Sequence, residues 1–336
     1  MIITKTPYRI SFFGGGTDHP EWYRENKGGV LATTFDKYCY ISVRALPQFF
    51  EHKYRVVYSL IESVNNVNQI KHPSVRETLK YFNCDQGLEI HHDGDLPARS
   101  GLGSSSSFTV GLVNAMNAFT GIYSSAHELA TSSIHIEQNL INECVGSQDQ
   151  ISAAYGGFNE IKFHADDTFT VEPKIFNQSR VRDLNNHLML FFTGISRFSS
   201  QVAESQISNM KNCKPQISEM YDMVGEGVSI LSNINTPINE FGKLLHQAWI
   251  NKKSLSNKVT NSEIDDLYNL AVRAGATGGK VLGAGGGGFV LFFVKPENQN
   301  RVKKALSKLT FVPFEFENSG SKVVLYQPCL LYTSPS

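Results

Sequence analysis

The sequence of 336 residues lacks the charge imbalance and the long apolar segments that mark two large classes of protein. Lys plus Arg and Asp plus Glu each number 31, so the formal net charge is zero. Proteins that bind nucleic acids or membrane surfaces usually carry a clear excess of basic residues. The longest dense apolar run, residues 289–294, is far shorter than the roughly 20 residues of a membrane-spanning helix. We therefore expect no nucleic-acid partner and no membrane partner.

Cysteine is also scarce, and its spacing argues against two further kinds of structure. The five cysteines, at positions 39, 84, 144, 213 and 329, include no C-x-x-C pair. Scattered cysteines of odd number predict reduced thiols rather than a zinc site or a disulfide framework. The first five residues have no signal-peptide pattern. Together these features predict a cytoplasmic protein.

Strand and helix patterns mix along the chain without a strict βαβ repeat, which predicts the α+β class. Hydrophobic residues make up 41% of the sequence, enough for a substantial core. Alternating apolar residues predict strands, and a 3.6-residue period predicts helices. The predicted strands are 8–13, 30–34, 38–45, 53–60, 88–92, 187–193 and 289–294, with a hairpin over 158–176 and short final strands. The predicted helices are 74–82, 104–120, 126–143, 200–232, 236–258, 262–275 and 297–309.

Residues 97–107, PARSGLGSSSS, place glycines and serines directly before the apolar helix pattern that starts at Phe108. A helix N-terminus exposes N–H groups and a partial positive charge. Glycines let the backbone approach an anion, and serine hydroxyls can bond a phosphate or a metal ion. The segment therefore predicts a site for the phosphates of a nucleotide. A serine-capped helix after a glycine turn is the plainer alternative.

Residues 7–18, PYRISFFGGGTD, join a predicted strand to a tight glycine loop. The strand carries Arg9, a permanent cation suited to phosphate or to developing negative charge. Three glycines turn the chain, and Thr17 and Asp18 follow, which brings a carboxylate to a loop that can approach a polyol. Taken alone, the segment also fits a hairpin turn in which Asp18 is an ordinary turn residue.

Residues 137–150 place carboxylates on a predicted helix and just beyond its end. Glu137 lies in the helix, the helix ends near Gly146, and Asp149 follows. A helical carboxylate can bind Mg²⁺ or order its waters. A carboxylate beyond the helix can accept a proton from a substrate hydroxyl. Glu143 fits better as part of a solvated helix face.

The glycine cluster at residues 275–288 contains the spacing G-x-G-x-x-G, but it leads into a predicted strand rather than a helix. It is therefore not a dinucleotide-binding fingerprint. It also fails the Walker A pattern, because Val281 follows Lys280 where Ser or Thr is required. The cluster predicts a flexible loop that can lie against a ligand or against another backbone.

In this order, the four segments resemble the GHMP kinase superfamily, which includes galactokinase, homoserine kinase, mevalonate kinase and phosphomevalonate kinase. The resemblance covers nearly the whole chain. Three pieces are similar to the D-glycero-D-manno-heptose 7-phosphate kinases in particular: P-x-R-I-S-F-x-G-G-G-T-D, V-G-x-Q-D-Q followed by A-A-Y-G-G, and T-G-I-x-R. Two departures stand out, since the family usually has glycine near Asn142 and often alanine at the position of Ser107.

The resemblance implies a fold of two domains and one reaction. Residues 1–180 would form an N-terminal ATP-binding domain of the ribosomal-protein-like βαβ type, and residues 181–336 a ferredoxin-like C-terminal domain. The reaction would be phosphorylation of the anomeric hydroxyl of heptose 7-phosphate by ATP with Mg²⁺. The product, the 1,7-bisphosphate, would feed GDP-heptose and bacterial surface polysaccharide synthesis. A homodimer is compatible with the sequence.

The resemblance also assigns roles to individual residues. Asp149 would be the base or the substrate-orienting carboxylate, and Arg9 would steady the γ-phosphoryl group or Asp149. Ser105 and Glu137 would bind Mg²⁺. ATP would be bound by Arg99, Gly101, Leu102, Gly103, Ser104, Ser105 and Ser106. The sugar would be bound by Gly15, Gly16, Thr17, Asp18 and Arg197, and the site would be closed by Gly285, Gly286 and Gly287.

Other functions stay open at this point. One is a kinase for the anomeric hydroxyl of another sugar, such as fucose or galactose, and a second is an inactive sugar sensor with the same fold. A phosphorylated sugar needs an extra cation, for which we prefer Arg197 over Arg99 and Lys280, although any of the three fits a plain surface cation.

Overall fold

The computed structural model describes residues 1–98, 100–195 and 199–328, which form two sheets and the helices that cover them. In chain order, strands β1 to β13 are Ile2–Phe13, Gly28–Ala45, Tyr54–Val57, Ile61–Val64, Leu88–Gly94, Asn159–Phe163, Phe169–Pro173, Leu188–Phe192, Ala276–Val281, Phe289–Val294, Thr310–Val312, Phe316–Glu317 and Lys322–Tyr326. Helices α1 to α11 are Pro20–Tyr23, Pro73–Tyr81, Ser104–Phe119, Ala126–Ile134, Gln148–Tyr155, Gln178–His187, Ser199–Asn209, Lys214–Ser232, Asn239–Ser254, Ser262–Arg273 and Gln299–Ala305.

The first sheet is built around the antiparallel pair β1 and β2, whose register runs from Ile2 opposite Val43 to Phe13 opposite Leu31. Its strand order is β13-β1-β2-β5-β3-β4, with β6 and β12 also paired to β2, and β7 paired to β6. Successive side chains of a strand point to opposite faces. This alternation places Arg9 and Ser11 on one side of β1, where both line the same cavity.

The second sheet has the order β11-β8-β10-β9, and each neighbouring pair is antiparallel. Its central strand β10, with the sequence FVLFFV, is buried at every position. A strand buried on both faces requires this continuous apolar run. Helix α9 packs on the neighbouring strand β9, and the turn between β9 and β10 reaches the loop before α3, where Gly283 touches Gly101.

Helix α3 packs against β1 and β2 and is buried continuously from Ser106 to Met116. Gly111 allows the close approach, because a methyl group at this position would lie 2.9 Å from Thr6 Oγ1. The Thr4 hydroxyl donates a hydrogen bond of 2.9 Å to the Gly111 carbonyl. The helix is thus fixed against the sheet, and its N-terminus is fixed with it.

The two sheets and their helices confirm the expected α+β class, but four local predictions are wrong. The predicted strands 30–34 and 38–45 are one long strand, β2, and helix α6 occupies residues for which the sequence predicts none. The predicted helix 126–143 is α4 followed by a π-helical segment that ends at Leu140. The glycine cluster is only partly a loop, because β9 takes up Ala276–Val281 and pairs with β10.

The division into domains 1–180 and 181–336 stays a prediction. No single point in the chain separates the strands of the first sheet from those of the second. Strands β12 and β13 come from residues 316–326, yet they pair with β2 and β1 of the first sheet. The C-terminal part of the chain therefore returns to complete the N-terminal sheet.

The structure describes the state of four cysteines and the character of the helices. Cys39, Cys84, Cys144 and Cys213 are free thiols. Within the described ranges, the chain has no helix that combines the length and the apolar character needed to span a membrane.

Candidate active site

A cavity of about 380 Å³ lies where β1, the loop before α1, the start of α3, the start of α5, and helix α9 come together. It is bordered by both sheets, since Gly283 and Ala284 after β9 also line it. The four segments singled out in the sequence all contribute to its wall. The fold therefore gathers residues that lie far apart in the chain into one concave site.

Arg9 and Asp149 form a two-pronged ion pair inside this cavity. Arg9 Nε donates to Asp149 Oδ1 over 2.7 Å, and Arg9 Nη2 donates to Asp149 Oδ2 over 2.9 Å. A third donor, Arg9 Nη1, bonds the Gly101 carbonyl at 2.8 Å. Asp149 stands in the first turn of α5, and Arg9 is buried on β1. The fork geometry fixes the carboxylate in one orientation.

The loop before α3 presents the start of that helix to the cavity. Gly101 and Gly103 adopt left-handed φ values of 83° and 74°, and Gly103 is the residue before the first helical turn. Space is short at both, since a methyl group on Gly101 would lie 2.5 Å from the Leu282 carbonyl oxygen, and one on Gly103 would lie 3.3 Å from Asp149 Oδ2. Helix N–H groups at such a terminus attract anions.

The residues predicted to bind ATP divide into two groups in the structure. Gly101, Gly103 and the three serines Ser104, Ser105 and Ser106 line the cavity. Leu102 does not, because its side chain is fully buried in the hydrophobic core and its carbonyl accepts a hydrogen bond from Arg9 N. Its side chain therefore has a structural role, and its predicted contact with the nucleotide stays a prediction. Arg99 lies outside the described residues.

Glu137 is fully buried behind the serines, and the serine that contacts it is Ser106. The hydroxyl of Ser106 donates to Glu137 Oε2 over 2.8 Å, and Gln150 Nε2 donates to the same oxygen. Ser105, predicted as the metal ligand beside Glu137, is instead exposed. Among the described residues, Glu137 Oε1 has no hydrogen-bond partner. Burial raises the pKa of Glu137 to about 7.

Asp18 is held in place by the loop that carries it. Its Oδ1 accepts from the Gly16 amide at 3.0 Å, and its Oδ2 accepts from Gln148 Nε2 at 2.9 Å. Gly146 packs so closely that a methyl group there would lie 1.9 Å from Asp18 Oδ2. Gly15, Gly16 and Asp18 line the cavity, and their role in binding a sugar stays a prediction.

Thr17 is a correction to the predicted sugar-binding set. Its hydroxyl lies 2.7 and 2.8 Å from the carbonyl oxygens of Gly14 and Gly29, which share its single donor hydrogen, and it accepts from the Gly29 amide at 3.0 Å. The side chain is completely buried. Thr17 therefore closes the loop onto β2 and does not face the cavity.

The glycines predicted to close the site are also corrected. A methyl group on Gly285 would lie 2.7 Å from the Val259 carbonyl oxygen, and one on Gly287 would lie 2.5 Å from that of Ile195. The Gly286 amide donates to the Val259 carbonyl at 2.8 Å. These contacts hold Gly285 to Gly287 against the loops that carry Val259 and Ile195, while Gly283 and Ala284 form the cavity wall. Arg197 falls outside the described residues.

Two buried lysines line the cavity, and the sequence interpretation missed one of them. Lys252 Nζ donates to the carbonyls of Val281 (3.0 Å) and Gly283, and Lys280 Nζ donates to the Phe12 carbonyl at 2.7 Å. Burial, followed by the positive charge of Arg9, lowers the pKa of Lys252 to about 7. Burial also lowers the pKa of Lys280 well below its ordinary value.

Helical periodicity contained the missing signal for Lys252. It stands three and four residues after Trp249 and Ala248 and three before Leu255, all of which are buried. A lysine on the apolar face of a helix is unusual unless its ammonium group has partners. Lys280 likewise lies among buried residues of its strand, β9, and this burial identifies it as an internal lysine rather than a surface cation.

A glycine loop before a helix N-terminus, with a carboxylate–guanidinium pair beside it in one cavity, supplies groups that phosphoryl transfer to a hydroxyl requires. Comparison with known proteins gives the family. The family model "GHMP kinases N terminal domain" matches residues 68–157, and "GHMP kinases C terminal" matches residues 230–310. The two segments together span about half of the chain. The chain belongs to the GHMP kinases, as its motifs indicated.

Individual relatives cover most of the chain. It is 27% identical over 317 residues to the D-glycero-alpha-D-manno-heptose 7-phosphate kinase of Campylobacter jejuni, covering 91% of this chain and 93% of that protein. It is 26% identical over 270 residues to the L-fucokinase/L-fucose-1-P guanylyltransferase of Bacteroides fragilis, covering 76% of this chain and 28% of that protein.

Solved structures confirm the GHMP kinase fold. A D-glycero-D-manno-heptose 1-phosphate kinase from Bacteroides thetaiotaomicron superposes with a TM-score of 0.77 at 22% identity, covering 96% of this chain and 98% of that one. The galactokinase of Lactococcus lactis, complexed with galactose, superposes with a TM-score of 0.73 at 18% identity, covering 96% and 94%. At these identities, the similarity describes the fold.

Proposed function

We propose that this GHMP kinase phosphorylates the anomeric hydroxyl of D-glycero-D-manno-heptose 7-phosphate with Mg·ATP and releases the 1,7-bisphosphate and ADP. The observation that best supports a sugar kinase activity is the Arg9–Asp149 pair beside the start of α3. This pair lies in one cavity with the loop that carries Asp18. The choice of heptose 7-phosphate is supported by the similarity to the Campylobacter jejuni kinase over nearly the full length of both chains.

The transfer needs little covalent help from the protein. Asp149 accepts the proton of the anomeric hydroxyl, the hydroxyl oxygen forms a bond to the γ-phosphorus, and the bond from that phosphorus to the bridging oxygen of ADP breaks. An anomeric hydroxyl is more acidic than an ordinary alcohol, so a carboxylate is a sufficient base. Arg9 orients the base and supplies positive charge near the transferred group. The amides and hydroxyls of the loop at Gly101 to Ser106 bind the phosphates.

The residues at Glu137 fit a magnesium ion. Among the described residues, the fully buried carboxylate has an oxygen without a hydrogen-bond partner, Oε1, and it stands next to the hydroxyl of a serine that lines the cavity. Mg²⁺ commonly takes one or two carboxylates together with substrate phosphates, and it neutralises phosphate charge when bound. Glu137 with Ser105 or Ser106 would hold the ion on this side of the phosphates.

The phosphate of the sugar requires a cation besides Arg9. Lys252 and Lys280 both line the cavity and are only 6% and 3% exposed, and a phosphate bound beside them would favour the charged form of each amine. An ammonium group has three donors. The sequence offered three cations for binding the sugar phosphate, and Lys280 is one of them. The other two, Arg197 and Arg99, lie outside the described residues and remain proposals.

A second candidate function is a kinase for the anomeric hydroxyl of fucose. It is supported by the similarity to the Bacteroides fragilis protein, whose name includes L-fucokinase. An inactive sugar sensor is disfavoured, because a sensor has no need of the Arg9–Asp149 pair. The role in GDP-heptose and surface polysaccharide synthesis, the cytoplasmic location and the homodimer belong to the same proposal.

The proposal is tested by measuring ADP formation from Mg·ATP with a panel of acceptors. The panel contains D-glycero-D-manno-heptose 7-phosphate, mannose, fucose and galactose, with ATP alone as the blank. We expect ADP release only with the heptose phosphate. Equal turnover of fucose or galactose would contradict the substrate assignment, and no turnover with any sugar would contradict the proposed activity.

A further inference from the structure

Lys252 and Lys280 are two buried amines that line the cavity and have no acidic partner. Lys252 Nζ donates to the carbonyls of Val281 and Gly283, and Lys280 Nζ donates to the carbonyl of Phe12. Within the described ranges, neither amine forms an ion pair with a carboxylate. A buried lysine is usually paired with an acid, because an uncompensated buried charge is costly. Two such lysines beside one cavity therefore indicate a ligand that supplies the missing negative charge.

The charges around the two amines come from β1, β9, α9, the loop before α1 and the start of α5. Arg9 is a permanent cation that acts on both lysines, and Asp18 and Asp149 act on Lys252. Both acids are already engaged, since Asp149 accepts the fork of Arg9 and Asp18 accepts from two amide groups. The other titratable side chains that line the cavity are His19, Glu143, Cys144 and Glu204.

Burial and the neighbouring cations keep both amines largely uncharged before a ligand binds. Burial, followed by the charge of Arg9, lowers the pKa of Lys252 to about 7. Burial, followed by the charges of Lys252 and Arg9, lowers the pKa of Lys280 well below its ordinary value. The neutral amine therefore predominates at both positions at pH 8. A neutral amine costs less to bury than an ammonium group, which explains how two lysines coexist beside a guanidinium group.

A phosphate monoester has the charge that would change this state. It carries about two negative charges at pH 8, because its second pKa is about 6. Negative charge next to an amine favours the ammonium form and raises the pKa of the amine. The proton would come from solvent and would bind the lone pair of the amine nitrogen. Two ammonium groups match the charge of one phosphate dianion, whereas the hydroxyl groups of an unphosphorylated sugar offer no comparable charge.

We propose that Lys252 and Lys280 form the site for the dianionic phosphate group of the acceptor, and that this site takes up protons from solvent as the phosphate binds. The proposal rests on the proposed function in taking a phosphorylated sugar as the acceptor. It deepens that function, because it makes the affinity for the sugar phosphate depend on pH while the affinity for an unphosphorylated sugar does not.

Calorimetric titration at pH 8 in two buffers of different ionisation enthalpy counts the protons taken up on binding. Heptose 7-phosphate is titrated into protein saturated with Mg·ADP, so that binding occurs without phosphoryl transfer. We expect about one proton or more to be taken up per sugar phosphate bound. The dissociation constant should accordingly rise about tenfold or more from pH 8 to pH 9. The unphosphorylated heptose should bind without proton uptake.

Lys252→Met and Lys280→Met each remove one amine and keep an unbranched side chain. We expect each variant to take up about half as many protons as wild type and to bind the sugar phosphate about tenfold more weakly or worse. Lys253→Met is the matched control, because Lys253 Nζ pairs with Asp265 at 3.2 Å. It should leave the proton count and the dissociation constant unchanged. If thermal melting shows that neither cavity variant folds, the comparison of phosphorylated with unphosphorylated heptose on wild-type protein decides the test.

Three results would overturn this site and leave the proposed function intact, provided that wild-type turnover is normal. The first is binding of heptose 7-phosphate without proton uptake. The second is undiminished proton uptake in both cavity variants. The third is proton uptake on titration with Mg·ATP alone and none with the sugar phosphate, which would assign the two amines to the nucleotide.

Two further results separate the site from the proposed function. Binding of heptose 7-phosphate with proton uptake, but without formation of a bisphosphate once Mg·ATP is added, would support the site and overturn the proposed function. Wild-type protein that does not bind the sugar phosphate would overturn both.

Discussion

Arg9 and Asp149, 140 positions apart in the chain, face each other through two parallel hydrogen bonds of 2.7 and 2.9 Å. A second pair with the same fork, Arg24 and Asp167, has bonds of 2.7 and 2.8 Å but is about half exposed. The described part of the chain thus offers the same kind of ion pair in a cavity and at the surface. Exposed pairs contribute little, whereas a buried pair holds its carboxylate in a fixed place.

Replacement of Asp149 should abolish most of the turnover. Asp149→Asn removes the proton acceptor while keeping the shape, so we expect kcat to fall about 10²- to 10⁴-fold with little change in the KM for ATP. Asp167→Asn is the matched control and should keep kcat within about twofold. Rapid-quench or coupled ADP assays measure both. Near wild-type turnover in Asp149→Asn would remove this residue from the mechanism.

The serines next to α3 should differ in their effect on magnesium dependence. The family resemblance assigns the metal to Ser105, but the Ser106 hydroxyl is the one that contacts Glu137. We expect Ser106→Ala to raise the Mg²⁺ concentration for half-maximal activity more than Ser105→Ala does. A magnesium titration of the two variants at saturating ATP decides between them, and a larger shift in Ser105→Ala would favour the resemblance.

Glu137 should make the apoprotein less stable as the pH rises. Burial raises its pKa to about 7, above the ordinary value of 4.5. The protonated form is therefore favoured in the folded state, and its contribution is complete below about pH 4.5 and lost as the pH rises through 7. A shift of this size corresponds to about 3 kcal/mol.

The measurement compares the free energy of unfolding of wild-type protein and Glu137→Gln, from pH 4.5 to pH 8 without magnesium. Because the variant cannot ionise at this position, it should gain stability relative to wild type as the pH rises. A constant difference over this range would show that Glu137 does not titrate as the structure predicts.

Replacement of Lys252 should weaken the use of the sugar phosphate, whereas replacement of the neighbouring Lys253 should not. Lys252→Met removes a buried ammonium group of the cavity, so we expect kcat/KM for the sugar phosphate to fall at least tenfold, the loss of one charged hydrogen bond. Lys253, whose Nζ pairs with Asp265 at 3.2 Å, provides the control Lys253→Met, which should stay within about twofold. Equal effects of the two substitutions would show that Lys252 has no special role.

Much of the fold could be predicted from the sequence, because period and composition agree along β1, α3 and β10. The prediction failed at β9, where the sequence ATGGKV suggests a loop, since glycine is unfavourable in strands. Helix α9 explains the first of the two glycines, because a methyl group on Gly278 would lie 2.2 Å from the Gly242 carbonyl oxygen. Close packing between helix and strand is a tertiary requirement that local propensity does not record.

The site was predicted in its chemistry but not in every contact. Motifs placed Arg9, Asp149 and the serine loop, because each carries a distinctive local pattern. They did not distinguish Ser106 from Ser105, which depends on how the helix is rotated against Glu137. Asn142 is a related case, since it adopts the left-handed φ of 59° where the family usually has glycine. Asn tolerates that conformation better than other side chains, so the turn survives.

Identification of the reaction product tests the central claim most directly. The protein is incubated with Mg·ATP and D-glycero-D-manno-heptose 7-phosphate, and the product is examined by phosphorus and carbon NMR spectroscopy. We predict a second phosphate ester on the anomeric carbon, with the original ester at C7 unchanged. A new ester at any other hydroxyl, or ADP formation without a phosphorylated sugar, would contradict the assignment of this chain as an anomeric sugar-phosphate kinase.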